Sequence, residues 1–457
     1  MNSPFTEKML DDFRKQGDPL ADEVITTFAS QYGASVELLT EKLENMIRMP
    51  PNDEMCEIIK DHFATNEAIC QALKKYYATA TQCPDWLDDD KLILGRKVFQ
   101  DHLFSSVIML ACASLPVCYA CQPDVKVLSF TRRLIDNVPI RLVETAQMLT
   151  DVMGNNGIII KNGRLTGKGV QSALKIRLIH AAVRYLILNK KTLMDQPRTE
   201  TTPGFLITYI CDDMQEQYAW YGDKKPGVWD IKADGTPINK EATALALLTF
   251  SYIILRGLKT IGIKLNSPQQ EAYLHSWNII GHVMGVEQTF LDQFNHYNSA
   301  EAVYSQLIKR RRGSTQDGQL LQRALLDVFE STAWALLPLR RLLHARRLAR
   351  LMTSLFISKE SYKTLGLKLS TYDMIIRFFI WLGLRIFAFA VNFKLLRPFA
   401  DYMFRHIART LWDWREDMSV DTSLNGDKKI KQKHLLIPHD LIATSYLSGK
   451  FKDKSSL

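Results

Sequence analysis

Residues 167–188 read GKGVQSALKIRLIHAAVRYLIL and predict a single helix. Lys168 and Gly169 open it, and no further Gly or Pro interrupts it before the polar run Asn189, Lys190, Lys191. Val170, Ala173, Leu174, Ile176, Ile179, Val183 and Ile187 recur at helical spacing. His180 shares a face with Ala173, Ile176, Val183 and Ile187. Arg177 stands three residues before it and Arg184 four after, so both flank the ring along one surface. An imidazole on an apolar wall, bracketed by two guanidiniums, suits a planar, apolar, dianionic cofactor. Haem is such a group: the imidazole binds iron, the wall packs the ring and the arginines pair with propionates. The same spacing equally describes a core histidine with two solvated arginines, and the residues alone leave both readings open.

Outward from this helix the pattern stays helical. No sustained strand alternation and no internal repeat is present, which predicts an all-α protein. Residues 91–121 read as a buried helix broken near Pro116, and 131–153 as a second block in which Pro139 starts a helix ahead of Arg141. Asn239 is placed to cap a helix running to about Leu258, and Ser267 to cap the next, with Pro268 at its first position. Between them, 196–238 is a long connection rich in Pro and Gly. The expected organisation is an N-terminal helical segment (1–90), a core (91–370) and C-terminal amphipathic helices with a polar tail (371–457).

The net charge of +9 is modest for 457 residues, and no nucleic-acid fold signature accompanies the basic clusters at 309–312 and 340–350. Nucleic acid is therefore not an expected partner; a solvated helix face or an anionic membrane surface explains these clusters better. Seven cysteines at scattered positions argue against a disulfide scaffold and for a reducing compartment. Cys118 and Cys121 form a CxxC without the second pair of a zinc site or the His of a haem-attachment motif. They read as buried thiols. The first residues, MNSPFTEKMLDDFRKQGDPLADE, lack the apolar run of a signal peptide, which gives a cytoplasmic expectation. Residues 372–415 interleave Phe378, Phe379, Trp381, Phe387 and Phe389 with Arg377, Arg385, Arg397, Arg405 and Arg409. Such a stretch fits peripheral contact with a membrane, or a helix packed on the protein body.

RLIHAAVR resembles the histidine helix of the latex-clearing proteins (rubber oxygenases) and the related MpaB-type oxygenases. The resemblance extends through DDFRKQGDPLADEVI, SLPVCYA at 114–120, IRLVETAQMLTDV at 140–152, DGTPINKEATALALLTFSYIIL at 234–255 and AYLHSWNIIGHVMGV at 272–286. These blocks keep the family's order over most of residues 10–290. The resemblance implies an all-helical fold, a single large domain with a globin-like core, haem b, and chemistry with molecular oxygen. Many latex-clearing proteins are secreted, and the first residues depart from them in this.

The resemblance also assigns roles. It makes His180 the proximal iron ligand, with Arg177 and Arg184 as cofactor-binding residues. Arg141 and Thr145 match the distal Arg and Thr, where an arginine can stabilise charge developing on oxygen and a hydroxyl can hydrogen-bond to it. At 144 the family can carry a lysine that caps the iron; this chain has Glu144, an acceptor when ionised and a candidate to move protons or to pair with Arg141 or Lys126. The family's upstream carboxylate base has no clear counterpart, although Asp124 is near. His275, Trp277 and His282 lie on a helix that the family sets against the haem, so they are candidate pocket residues. Trp229, Asn239 and Thr243 are weaker matches. The expected function is a haem b-dependent oxygenase acting on an apolar, unsaturated, lipid-like substrate. Alternatives are a haem-binding sensor or carrier, or a haem-free helical protein attached to membranes. A di-iron oxygenase would need paired Glu-x-x-His motifs, which are absent.

Overall fold

The computed structural model describes residues 4–32, 66–130, 138–194, 229–331 and 345–392. Its principal helices are α1 (Glu7–Arg14), α2 (Pro19–Tyr32), α3 (Glu67–Ala80), α4 (Asp89–Asp101), α5 (Val138–Met153) and α6 (Lys168–Met194). They continue with α7 (Lys240–Phe250), α8 (Tyr252–Ile261), α9 (Ser267–Val283), α10 (Tyr297–Arg311), α11 (Gln316–Ser331), α12 (Ala345–Phe356) and α13 (Thr371–Asn392). The only strands among the described residues are β1 (Ile159–Lys161) and β2 (Arg164–Thr166). They form a hairpin whose turn residues, Asn162 and Gly163, both take positive φ, the geometry such a two-residue turn demands.

The histidine helix appears where the sequence puts it, as α6, and runs a turn and a half further than residue 188. It packs against α2, α5 and α9, while α4 and α9 make the most extensive helix pair. Gly95 makes that pair possible: a Cβ there would stand 2.4 Å from the Ala272 carbonyl oxygen of the facing helix. One contiguous apolar core runs from Phe5 to Ala388.

Local chemistry moves several expected boundaries. The break in 91–121 falls at His102, where the two halves bend by 81°, and not at Pro116, which sits in the first turn of a short helix, Leu115–Tyr119. Asn239 caps α7 through the Ala242 N–H, but the helix stops at Phe250 rather than Leu258. Ser251 causes the stop: its hydroxyl and its own N–H both turn back to the Leu247 carbonyl, a known source of helix bending. Asn266, one residue before the expected Ser267, caps α9 in a reciprocal box with Gln269. The stretch 240–261 is apolar and long enough to cross a bilayer, yet most of it lies inside the protein, as a core helix does.

Within the basic cluster at 309–312, Lys309 is exposed, but the two central arginines are not a solvated face. Arg310 pairs with Glu7, Asp11 and Glu241, and Arg311 with Asp124 at 2.5 Å and Glu241 at 3.5 Å. Arg347 and Arg350 both hold Asp373, at 2.8 and 3.0 Å. These arginines join elements together instead of meeting an anionic partner. Among the described cysteines, Cys83, Cys112, Cys118 and Cys121 are free thiols, and burial pushes Cys112 and Cys118 up to about 12.

Candidate functional site

Four segments meet around His180. α6 carries the ring, with Arg177 and Arg184 on either side, and the Gly17–Asp18 turn, the Ile238–Thr243 stretch and the Met284–Gly285 turn close over them. Together with His180 they line a cavity of about 10 Å³, on the order of what one water needs. Its lining sets the charged Asp18, Arg177, Arg184 and Lys240 beside the apolar Ile238 and Met284.

The two arginines are buried and already paired with carboxylates of the chain. Arg177 binds Asp18 through Nε and Nη2 at 2.5 and 2.7 Å, and its Nη1 donates to the Val283 carbonyl at 2.8 Å. Arg184 pairs with Asp22 and donates to the carbonyls of Pro237 and Ile238 at 2.9 and 2.7 Å. Burial pulls the Arg177 guanidinium toward neutrality, but the Asp18 bonds more than offset this and hold it above its usual range. Burial raises the Asp22 carboxyl despite Arg184 beside it. The two arginines that the sequence reading offers to propionates thus also brace α6 against Asp18 and Asp22.

His275, Trp277 and His282 lie elsewhere, outside the wall of this cavity. His275 accepts the Asp88 N–H at 3.1 Å, and its ring stands edge-on to Trp86. His282 meets the Gln82 carbonyl oxygen at 3.0 Å and is also edge-on to Trp86. Burial lowers both imidazoles, His275 to about 4 with Lys91 adding to the effect. Trp277 is fully buried and stacks on Phe250 at 5.5 Å. These three organise the loop ahead of α4 and the core. Trp229 donates to the Gly235 carbonyl and Asn239 caps α7, so both are structural; Thr243 does reach the cavity. Asp124 is engaged by Arg311, and Lys126 pairs with Asp234 at 2.6 Å.

Arg141, Glu144 and Thr145 ride on α5, which runs beside α6 and touches it through Ser172 and Asp151 at 3.2 Å. Thr145 is half-buried; the side chains of Arg141 and Glu144 lie outside the described residues. Asp18, Asp22 and Lys240 are site residues that sequence reasoning missed. All three lie in blocks that carry the family resemblance, DDFRKQGDPLADEVI and DGTPINKEATALALLTFSYIIL, but nothing in those stretches links them to arginines so distant in the chain.

The donor chemistry at His180 fits an axial imidazole: one histidine, half-buried, on a helix whose neighbouring Ala173 and Val183 are buried apolar residues. Among the described residues no group of three His, Cys, Asp or Glu is placed to hold a bare metal ion. Residues 126–388, more than half of the chain, match the family described as ER-bound oxygenase mpaB/B'/Rubber oxygenase, catalytic domain. A rubber oxygenase of Streptomyces sp. (strain K30) is 21% identical over 256 residues, which are 56% of this chain and 53% of that protein. The chain thus spans about half the length of the curated relative it matches. The structure of latex clearing protein LCP in the closed state superposes with a TM-score of 0.56 at 16% identity, over 86% of this chain and 91% of that one. At that identity the likeness speaks for the all-α fold.

Proposed function

Since the chain belongs to the ER-bound oxygenase mpaB/B'/rubber oxygenase catalytic-domain family, we propose that it is an oxygenase using molecular oxygen on an apolar, unsaturated substrate. We further propose that His180 holds a haem b as its proximal ligand. The observation that carries the reading is the setting of His180: one imidazole within the family-matched region, between two anchored guanidiniums on a rigid helix. The name of the matched relative, a rubber oxygenase, supports a polyisoprene-like substrate.

Haem b supplies the iron and the redox chemistry by which oxygen reacts with a carbon–carbon double bond. The chain supplies the geometry. His180 binds through a ring nitrogen, and α6 fixes the direction of the ring. Counted from the Asp151–Ser172 contact at about 1.5 Å per residue, Thr145 lies at roughly 9 Å and Arg141 at roughly 15 Å along α5. By the same count His180 lies at roughly 12 Å along α6, so the three fall at one level of the helix pair. With haem bound, Arg141 would stabilise negative charge developing on oxygen, the Thr145 hydroxyl would donate a hydrogen bond and Glu144 would take up or return a proton.

A second feature bears on where the substrate is met. The outer face of α13 leaves Tyr372, Ile375, Phe378, Phe379, Ile386 and Phe389 exposed. A face of that size is unusual on a freely soluble surface and suits peripheral contact with a membrane, where apolar substrates collect.

The test is spectroscopic first. The purified chain should show a Soret band, and His180→Ala should lose tightly bound haem while keeping its helical circular dichroism. Oxygen uptake in the presence of an unsaturated polyisoprene oligomer, absent in His180→Ala, then separates an oxygenase from a haem carrier. A wild-type protein that stays colourless after reconstitution with haem would reject the reading.

A further inference from the structure

The two carboxylates that grip His180's helix come from outside the family-matched region, while the carbonyls of Val283, Pro237 and Ile238 that share the grip lie within it. Asp18 and Asp22 belong to the chain's first helices, more than 100 residues ahead of residue 126 where the match begins. Asp18 forks onto Arg177 with two bonds, and Asp22 takes Arg184. The side chains of the two arginines are only 8% and 4% exposed, so these are desolvated pairs and not decorations of a surface.

Two further features show that the geometry is enforced. Ile238, whose carbonyl accepts from Arg184, has φ +50. A β-branched residue rarely adopts that conformation and keeps it only where the surroundings over-determine it. Gly17 packs so closely that a Cβ would stand 2.8 Å from the Asp22 carboxylate and 3.0 Å from Arg184 Nε. Asp18 and His180 also face the same water-sized cavity. The ring is thus bracketed at three and four residues by arginines whose positions the N-terminal carboxylates set.

We propose that Asp18 and Asp22 are positioning residues for His180, acting through Arg177 and Arg184, so that the segment before the family-matched region completes the site. The inference rests on the reading of His180 as a cofactor ligand. Its physical basis is that a ligating imidazole depends on outer partners for its orientation, and losing such a partner typically lowers affinity for the metal group about 10–100-fold.

The experiment uses the full chain with histidine labelled in its ring nitrogens and prepared without cofactor. His180→Ala identifies the His180 resonances. Asp18→Asn and Asp22→Asn should each move them, Asp18→Glu should restore them in part, and the exposed His296 should not respond. Asp373→Asn, which removes a carboxylate from the remote Arg347–Arg350 pair, should leave them in place. Haem titration of the same proteins should show affinity about 10–100-fold weaker in the two Asn variants and unchanged in Asp373→Asn. If Asp18→Asn does not fold, Asp22→Asn, whose carboxylate is partly solvated, is read alone. Folded Asn variants with wild-type His180 resonances would overturn the proposal. A wild-type protein that binds no haem would reject the cofactor reading, while the ring resonances, which need no cofactor, would still decide the positioning.

Discussion

His275 is 5% exposed, and its Nε2 accepts the Asp88 N–H, a bond only the neutral ring can make. Burial, with Lys91 assisting, sets its folded pKa at about 4. In the unfolded chain the ring takes up a proton near 6.5. Between these values the unfolded state binds more protons, so this stability is complete above pH 6.5 and is lost as pH falls toward 4. The linked free energy is about 3 kcal/mol. Unfolding by denaturant at pH 7.5 and 4.5 should show that loss in the wild type and much less of it in His275→Gln, whose amide oxygen can still accept the N–H. An equal loss in both would mean that other groups carry the acid sensitivity. At this scale the sequence was readable where a residue acts within its own helix, as with the register of Arg177, His180 and Arg184. It was not readable where the partner is remote. Asp18 lies 159 residues from Arg177, and nothing in either stretch names the other.

Helices were the most legible level, because periodicity and caps are local. α6, α7 and α9 stand where apolar spacing and Asn or Ser caps predict, and the errors have local causes, such as the Ser251 hydroxyl bond that ends α7 early. What periodicity cannot show is how closely two helices approach. Gly95→Ala should gain the roughly 1 kcal/mol of helix propensity that any Gly→Ala change brings. It should nevertheless destabilise, since its Cβ would run into the α9 backbone, and overpacking of this kind costs about 1–3 kcal/mol. Gly383→Ala on α13 meets nothing within 4 Å and should raise stability by about 1 kcal/mol. Denaturation midpoints moving in the same direction for both variants would remove the packing explanation. α13 itself was expected to be either a membrane-facing helix or a helix closing the core. The structure has it doing the second on one face, through Ala388 and Asp373, while the other face stays exposed. For that outer face, flotation with anionic vesicles at low salt should recover wild-type protein, and Phe379→Ser with Phe389→Ser should release it. If wild type and variant float equally, or neither does, the exposed face is not a membrane contact.

Across the whole molecule, the N-terminal segment is tied in twice, once beneath His180 and once beside Glu241 in the first turn of α7. There Glu241, 1% exposed, stands between Arg310 and Arg311, which also collect Glu7 and Asp11 from α1 and Asp124 from the short helix Gln122–Phe130. Attraction to these carboxylates outweighs burial and holds both guanidiniums above their usual range. Read as sequence, Lys309–Arg312 is a basic run at the end of a helix, the pattern of a solvated face; only the assembled fold shows that four distant acids neutralise it. Such a network need not add much stability over an apolar equivalent, but removing its central charge leaves the buried Arg311 with Asp124 alone, and breaking a buried pair costs about 3–5 kcal/mol. Glu241→Gln keeps the shape and removes the charge, so it should lower stability by that amount. Because the pairs are desolvated, the loss should change little between 0.05 and 0.5 M salt, about the range over which exposed pairs fade. The Arg346–Asp327 pair supplies the contrast, since both partners are about half exposed. Asp327→Asn there should cost no more than about 1 kcal/mol, and less in salt. A Glu241→Gln variant as stable as wild type, or one whose deficit disappears in salt, would show that the network is a surface feature and that α1 is held to the body by its apolar contacts alone.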